Sequence, residues 1–130
     1  MIAQILQESL IPTFVIDNNH IITHWNKACE RLTGVTADEV IGTSKQWRAL
    51  YSEEKPVMAD FIVERAPKEV IVSYFGDGVQ ESALMDGAYE VEGFFTAPRE
   101  KDSWLFTTAA PLKDDGGKII GAIQTLQDVT

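Results

Sequence analysis

The last third of the chain constrains the fold most, because it holds three long segments rich in β-branched and aromatic residues. These segments are residues 89–96, 103–112 and 118–129, and residues of those types are typical of strands. The sequence Asp114-Asp115-Gly116-Gly117 separates the last two segments, and Asp and Gly at such positions favour the tight turn of a β-hairpin. We therefore expect three consecutive antiparallel strands at the end of the chain.

A second hairpin is predicted near the N-terminus, where residues 11–16 and 20–25 are mainly apolar and flank Asp17-Asn18-Asn19. Asp and Asn favour turns because their side chains bond nearby backbone groups. Apolar spacing and capping residues predict helices between the two groups of strands. These helices are expected at residues 26–33, 37–41, 53–65 and 68–75, and residues 76–88 are expected to form a loop with at most one helical turn. Grouped strands with helices between them predict an α+β domain with an antiparallel sheet.

Length and charge exclude several classes of function. A chain of 130 residues fits one domain. Its 11 Lys and Arg against 20 Asp and Glu give a net charge of −9, which disfavours nucleic acid and contact with an anionic membrane. No apolar run approaches the roughly 20 residues that span a bilayer, and no basic segment precedes an apolar stretch as in a signal peptide. Together with the single Cys29, these features favour a cytoplasmic location.

The first ten residues predict a short amphipathic helix, whose apolar positions are Ile2, Ile5, Leu6 and Leu10. An isolated helix of this length is marginal in water, so its apolar stripe needs a partner. We expect that it either caps the domain or forms the contact of a homodimer.

Two groups of motifs lie at the beginning and the end of the chain. Residues 11–42 combine a strand, an Asp-led turn, a strand ending in Trp25-Asn26, a helix closing in Leu32-Thr33-Gly34 and a short helix with the sequence EVIG. The chain ends in Asp128-Val129-Thr130. In their order and spacing these motifs resemble the PAS domain family, in which many domains end in Asp-Ile-Thr. The resemblance implies a five-stranded antiparallel sheet with helices packed on one face. It divides the chain into a flanking helix at residues 1–10 and a PAS domain at residues 11–130.

What the resemblance implies for function is sensing or protein docking within a larger signalling protein of bacterial type. A histidine kinase of a two-component system or a diguanylate cyclase is a typical output domain in that family. A ligand in an apolar cavity would alter the packing of helices on the sheet, and the change would pass along the last strand to a C-terminal effector domain. Asp128 and Thr130 are the expected exit residues. The alternative is a PAS-fold dimerisation or docking module with a filled core and no ligand.

Cofactors and catalysis are not favoured by the residues present. Cys29 lies on the apolar side of its predicted helix, so a core role is favoured over a flavin adduct. Haem is disfavoured because both histidines lie in the first hairpin, where His20 is expected to be solvated and His24 to lie in the core or at its rim. No His, Cys or carboxylate cluster has metal-ligand spacing. Asp60 and Glu64 could serve a small cavity enzyme, but they lie off the apolar stripe of their helix and are expected to face water.

The favoured site is therefore a largely apolar pocket between the middle helices and the sheet. Arg48 is a candidate anchor for a ligand carboxylate, and Thr107, Thr108 and Gln124 are the polar residues expected to face inward. The candidate pocket residues are Trp47, Arg48, Tyr51, Phe61, Ile62, Ile71, Tyr74, Phe75, Phe95, Phe106, Thr108 and Gln124. For each of the apolar ones, a plain core role remains the alternative.

Overall fold

The fold is built on a single antiparallel sheet, seen in a computed structural model that describes residues 5, 7–82, 85–95 and 102–129. Its strand order is β2-β1-β6-β5-β4-β3, so the first and last segments of the domain pair at its centre. The strands are β1 (Thr13–Asp17), β2 (Ile22–Trp25), β3 (Gln80–Glu81), β4 (Tyr89–Phe95), β5 (Ser103–Lys113) and β6 (Ile119–Asp128). The predicted α+β class and antiparallel sheet are confirmed.

The sheet has six strands rather than the predicted five. The additional strand, β3, lies in a segment that was predicted to be a loop, and it pairs only with Tyr89 and Glu90 of β4. A strand of two residues is too short for an alternating pattern of apolar residues. Only its pairing at the edge of the sheet defines it.

The helices lie between β2 and β3 in the chain. They are α1 (Lys27–Thr33), α2 (Ala37–Val40), a 3-10 helix (Gln46–Ala49), α3 (Met58–Val63) and α4 (Lys68–Phe75). Helix α3 is shorter than the predicted helix at residues 53–65. Pro56 disfavours helical backbone at the preceding residue, so the helix begins only at Met58. The 3-10 helix was not predicted.

Asn26 ties the first hairpin to α1, as its position before the helix predicts. Its Oδ1 accepts from the backbone N–H of Cys29 at 2.9 Å and of Thr13 at 3.0 Å, and its Nδ2 donates to Ile11 O. The predicted strand at residues 20–25 is two residues shorter, because His20 adopts a positive φ of 65°. The turn therefore includes His20, and β2 begins at Ile22.

The core lies between the helices and one face of the sheet. Residues of β5 alternate between buried and more exposed positions, as expected when one face packs on the core. The inner face includes Phe14, Leu105 and Leu126, each fully buried. Trp25 stacks on Phe14 with ring centroids 5.5 Å apart, and its indole N–H donates to Val35 O.

Helix α3 is buried along its whole length, so the N–H groups of its first turn cannot bond to water. Buried backbone donors need partners. The Asp60 carboxylate accepts from Val57 N at 2.8 Å, and the side chain of Gln124 in β6 accepts from Ala59 N at 2.9 Å. Gln124 also donates to Thr107 Oγ1 at 2.9 Å. One fully buried glutamine thus joins α3 to both central strands of the sheet.

The N-terminal segment is only partly described. Residues 5, 7 and 8 are helical, and Ile5 and Leu10 are 65% and 87% exposed. Ile2 and Leu6, the other two positions of the predicted stripe, lie outside the described residues. Within the described chain, no helix has the length and apolar character needed to cross a bilayer.

Close packing of β6 against β1 predicts that Gly121→Ala destabilises the domain. A Cβ atom at this position would lie 2.5 Å from the backbone oxygen of Ile16, so the strands would have to separate. We expect the free energy of unfolding, measured by urea denaturation, to fall by about 1–3 kcal/mol. Gly116→Ala, whose Cβ would meet only Asp114 Oδ1 at 3.5 Å, is the control and should change it by less than about 0.5 kcal/mol. Equal effects would contradict the packing argument.

The bonds of Gln124 predict that Gln124→Leu is destabilising although it makes the core more apolar. The Ala59 N–H and Thr107 hydroxyl would lose a partner in the core, and one buried unpaired donor costs about 1–3 kcal/mol. Gln127→Leu is the matched control, because Gln127 is exposed on the same strand. Urea denaturation should show a loss in the first variant only. A stability of Gln124→Leu equal to that of the wild type would show that the helix does not need this bond.

Candidate functional site

An aromatic cluster forms where α4 approaches β4. Tyr74 and Phe75, at the end of α4, contact each other with ring centroids 4.8 Å apart, and Phe61 of α3 lies 5.0 Å and 5.6 Å from them. Tyr51, just after the 3-10 helix, packs edge-on against Phe95 of β4 at 5.9 Å. Four elements that are distant in the sequence therefore place aromatic side chains together.

A cleft of about 670 Å³ opens beside this cluster. This volume lies within the range of small-molecule sites, which are typically apolar with a few polar groups. We call it the aromatic cleft, and it is lined by Tyr51, Glu54, Lys55, Pro56, Tyr74, Phe75, Val91, Glu92, Gly93, Phe94 and Phe95.

The polar groups of the aromatic cleft are two phenols and a few charged side chains. Burial raises the pKa of Tyr51 well above its usual value, and the neighbouring Tyr74 raises it further. Burial is also the main cause of the raised pKa of Tyr74. Both hydroxyls are therefore neutral at physiological pH. The Tyr51 hydroxyl donates to that of Tyr74, so Tyr74 is the phenol that can donate to a ligand. The Lys55 ammonium lies 5.4 Å from the centroid of the Tyr51 ring, where the π face attracts it.

Several predicted pocket residues come together at this cleft. Tyr51, Tyr74, Phe75 and Phe95 line it, and Phe61 supports two of them from α3. Ile62 and Ile71 are buried and border a different, smaller cleft of about 280 Å³. Neither forms a wall of the aromatic cleft.

Two predicted pocket residues, Phe106 and Thr108, lie on the other face of the sheet. Side chains alternate along β5, and the buried positions are Leu105, Thr107 and Ala109. Thr108 instead shares a hydroxyl hydrogen bond of 2.6 Å with Thr125. The prediction that Thr108 faces inward is wrong. Thr107 and Gln124 face inward as predicted.

The predicted anchors Trp47 and Arg48 also lie away from the aromatic cleft. Both are half-buried in the 3-10 helix. Trp47 lines a second cleft. The pKa of Glu39 is lowered mainly by a hydrogen bond from the Thr36 backbone, and the charge of Arg48 also lowers it.

The second cleft is polar and was missed by sequence reasoning. It has a volume of about 360 Å³. We call it the polar cleft, and it is lined by His20, Ser44, Gln46, Trp47, Glu54, Lys55, Pro56, Asp60 and Glu64. Asp60 was expected to face water but is 7% exposed. It accepts from Val57 N and from Gln46 Nε2 at 2.7 Å, and its Oδ1 lies 2.7 Å from His20 Nδ1. The one signal in the sequence for a buried Asp60 is that a buried helix needs a side chain to cap its first turn.

His20 is held between two carboxylates rather than solvated. Besides its contact with Asp60, its Nε2 lies 3.4 Å from Glu64 Oε1. The left-handed backbone of a non-glycine residue is uncommon, and the contact with Asp60 helps to fix it. The imidazole thereby fastens the first turn to α3.

Gln46 contains an orphan polar atom. The residue is 2% exposed, and its Oε1 has no hydrogen-bond partner. Its Nε2 donates to Asp60 Oδ1 and to His20 O. Because both partners are acceptors, exchanging the two ends of the amide would break both bonds. A buried polar atom without a partner costs about 1–3 kcal/mol, so Oε1 marks a place where a donor would be stabilising.

Of the residues considered for cofactors, Cys29 and His24 line neither of these two clefts. Cys29 is fully buried in α1, and burial raises the pKa of its thiol strongly. His24 Nδ1 lies 2.8 Å from Thr23 Oγ1 on the outer part of β2. Among the described residues, no group of three or more His, Cys, Asp or Glu could hold a metal ion.

The predicted exit of the domain is described in part. Asp128, the last residue of β6, is exposed and pairs with Leu105 of β5. Thr130 lies outside the described residues.

The chain was compared with known families and proteins. A family model described as a PAS domain matches residues 11–130. No curated protein matches the chain.

Solved structures with the same fold include the PAS domain of BvgS from Bordetella pertussis, with a TM-score of 0.64 and 16% identity over 99% of this chain and 83% of that one. A PAS domain from Colwellia psychrerythraea has a TM-score of 0.62 and 20% identity, covering 98% and 93%. A structure of VqmA bound to DPO has a TM-score of 0.57 and 20% identity, covering 99% and 56%. The match of the family model over all but the first ten residues shows that the chain belongs to the PAS domain family.

Proposed function

We propose that this PAS domain is a sensory domain that binds a small, largely apolar ligand in the aromatic cleft. PAS domains are generally sensory rather than catalytic, and this supports a signal-sensing role for the chain. The observation that carries the ligand proposal is the convergence of Tyr51, Tyr74, Phe75 and Phe95 on one cleft of suitable volume. Flat aromatic walls and the neutral Tyr74 hydroxyl suit an aromatic or heteroaromatic ligand with an acceptor group. VqmA, which has the same fold, is known bound to DPO.

The contacts of α3 suggest a route for the signal. Tyr74 and Phe75 at the cleft pack on Phe61 of α3. The backbone of α3 is bonded to Gln124 of β6, and β6 runs to Asp128. A ligand that displaces Tyr74 would shift α3, and Gln124 would pass the shift to the last strand. A shift in population between two packings of α3 is sufficient for this.

The recipient of the signal is part of the same proposal. The shift of β6 would be transmitted at Asp128 to an effector domain that follows it, such as a kinase or a diguanylate cyclase. Self-association through the exposed Ile5 and Leu10 would bring two such domains together. The contacts of α3 with β6 support this route.

Ligand binding in the aromatic cleft can be tested with a panel of soluble aromatic and heteroaromatic compounds in a thermal-shift assay. We expect at least one compound to raise the melting temperature, because a ligand at about 100 times its Kd adds about 2.7 kcal/mol to stability. Tyr74→Leu should weaken binding of that compound by about tenfold or more, since it removes one stacking wall and one hydroxyl.

The matched control is Val70→Ala. Val70 is 45% exposed on the same helix and does not line the cleft, so this variant should keep the wild-type affinity. If no compound stabilises the protein, or if both variants bind equally well, the aromatic cleft is not a ligand site.

A second candidate function is a docking module without a ligand, and the outer face of the sheet favours it. Phe94 and Trp104 pair across β4 and β5 with ring centroids 4.3 Å apart, and they are 60% and 39% exposed. Exposed aromatic side chains on one sheet face are typical of interaction surfaces. A second copy of the chain could bury both rings.

Sedimentation velocity tests this candidate. If the Phe94–Trp104 pair forms a homodimer contact, the sedimentation coefficient of the wild type should rise between about 5 and 200 μM, and Phe94→Ser/Trp104→Ser should remain monomeric, because the buried apolar area is lost. Ile41→Ser/Val70→Ser removes two other exposed apolar side chains and should behave like the wild type. A wild type that stays monomeric over this range would contradict the candidate.

A further inference from the structure

The polar cleft holds an excess of hydrogen-bond acceptors. Glu64 and Glu54 contribute exposed carboxylates, and Gln46 contributes the orphan Oε1. Within the described part of the chain, no Lys or Arg forms an ion pair with either glutamate. The cleft therefore offers more acceptors than donors.

Its charge is also negative. Asp60, Glu54 and Glu64 line the cleft together with a single basic side chain, Lys55, and with His20. The Lys55 ammonium is drawn towards Tyr51, 5.4 Å from the ring centroid, and lies 3.9 Å from Glu53. The rest of the chain, with its net charge of −9, adds to the attraction for a cation.

One wall of the polar cleft is aromatic. Trp47 is half-buried in the 3-10 helix and lines the cleft beside Gln46. The face of an indole ring attracts cations, and a planar guanidinium can also stack on it. A guanidinium fork can at the same time donate to a carboxylate in a bidentate manner.

We propose that the polar cleft binds a small organic cation, a guanidinium or primary-ammonium compound, and that this site is distinct from the aromatic cleft. The cationic group lies against Trp47, donates one N–H to Gln46 Oε1 and donates others to the carboxylate of Glu64. The orphan oxygen, which is fixed in place by the two bonds of Gln46 Nε2, is the observation that points to a donor on the ligand.

Access to Gln46 Oε1 requires the cleft to open slightly, because this atom is buried. The loop of residues 52–56 forms one wall and is exposed along its length. In the described chain, no backbone hydrogen bond joins this loop to a helix or a strand. It is therefore the wall that can move with the least loss of structure.

The proposal can be tested by NMR titration of the isotope-labelled protein with butylguanidinium. Its uncharged analogue, butylurea, has a similar planar shape and serves as the comparison probe. We expect saturable binding of butylguanidinium, with the largest shifts at the side-chain amide of Gln46 and the indole N–H of Trp47. Butylurea should bind at least about tenfold more weakly, because it lacks the charge that pairs with the carboxylates.

Variants that remove equal charge distinguish binding in the polar cleft from attraction by the overall negative charge of the protein. Glu54→Gln/Glu64→Gln removes two negative charges inside the cleft and should weaken binding of butylguanidinium by about tenfold or more. Asp77→Asn/Asp115→Asn removes two exposed charges that do not line it and should retain affinity within about threefold. The four side chains are exposed, and circular dichroism establishes that each variant is folded.

Three results would overturn the proposal. These are equal affinities for the two probes, an equal loss of affinity in the two charge-matched variants, or shifts centred on Tyr51 and Tyr74 instead of Gln46 and Trp47. The first shows that charge does not direct binding. The second shows that the cation is attracted only by the overall negative charge of the protein. The third places the cation in the aromatic cleft. None of them bears on whether an apolar ligand binds in the aromatic cleft.

Discussion

The hydrogen bond from Ala59 N to the side chain of Gln124 is the interaction on which the rest of the domain depends. Helix α3 is buried on every side, and a buried helix needs acceptors for the N–H groups of its first turn. The sheet supplies one of them from Gln124, a fully buried glutamine on its central strand. The bond fixes the position of α3 over the sheet, and that position in turn shapes both clefts.

Two adjacent residues of α3 show how one helix can serve both clefts. Asp60 points into the polar cleft, where it holds His20 and Gln46, while Phe61 supports Tyr74 and Phe75 beside the aromatic cleft. Glu54, Lys55 and Pro56 line both clefts. The same short helix thus lines one cleft and supports the wall of the other, and the same loop lines both. A ligand in one cleft would therefore alter the shape of the other. The energetic coupling would pass through the packing of α3.

Much of the fold was predictable because its signals are local. The strands of the last third, the hairpin turn at Asp114 and helix α4 follow from residue type and spacing alone. The site was harder to predict. Alternation along β5 defines two faces but not which one meets the helices, so Phe106 and Thr108 were assigned to the wrong face. The bonds among His20, Gln46 and Asp60 join residues that are 14 to 40 positions apart, and no local pattern encodes them.

The buried side chain of Gln124 also explains the precision of the fold. An apolar residue at position 124 could pack in several ways, whereas Gln124 must meet Ala59 N and Thr107 Oγ1 at once. Slipping β6 by one residue would turn Gln124 to the outer face and leave both groups without it. The glutamine therefore sets the register of the central strands while it holds the helix. A disturbance of α3 reaches β6 through this group, and this is why the last strand suits the proposed role of carrying a signal out of the domain.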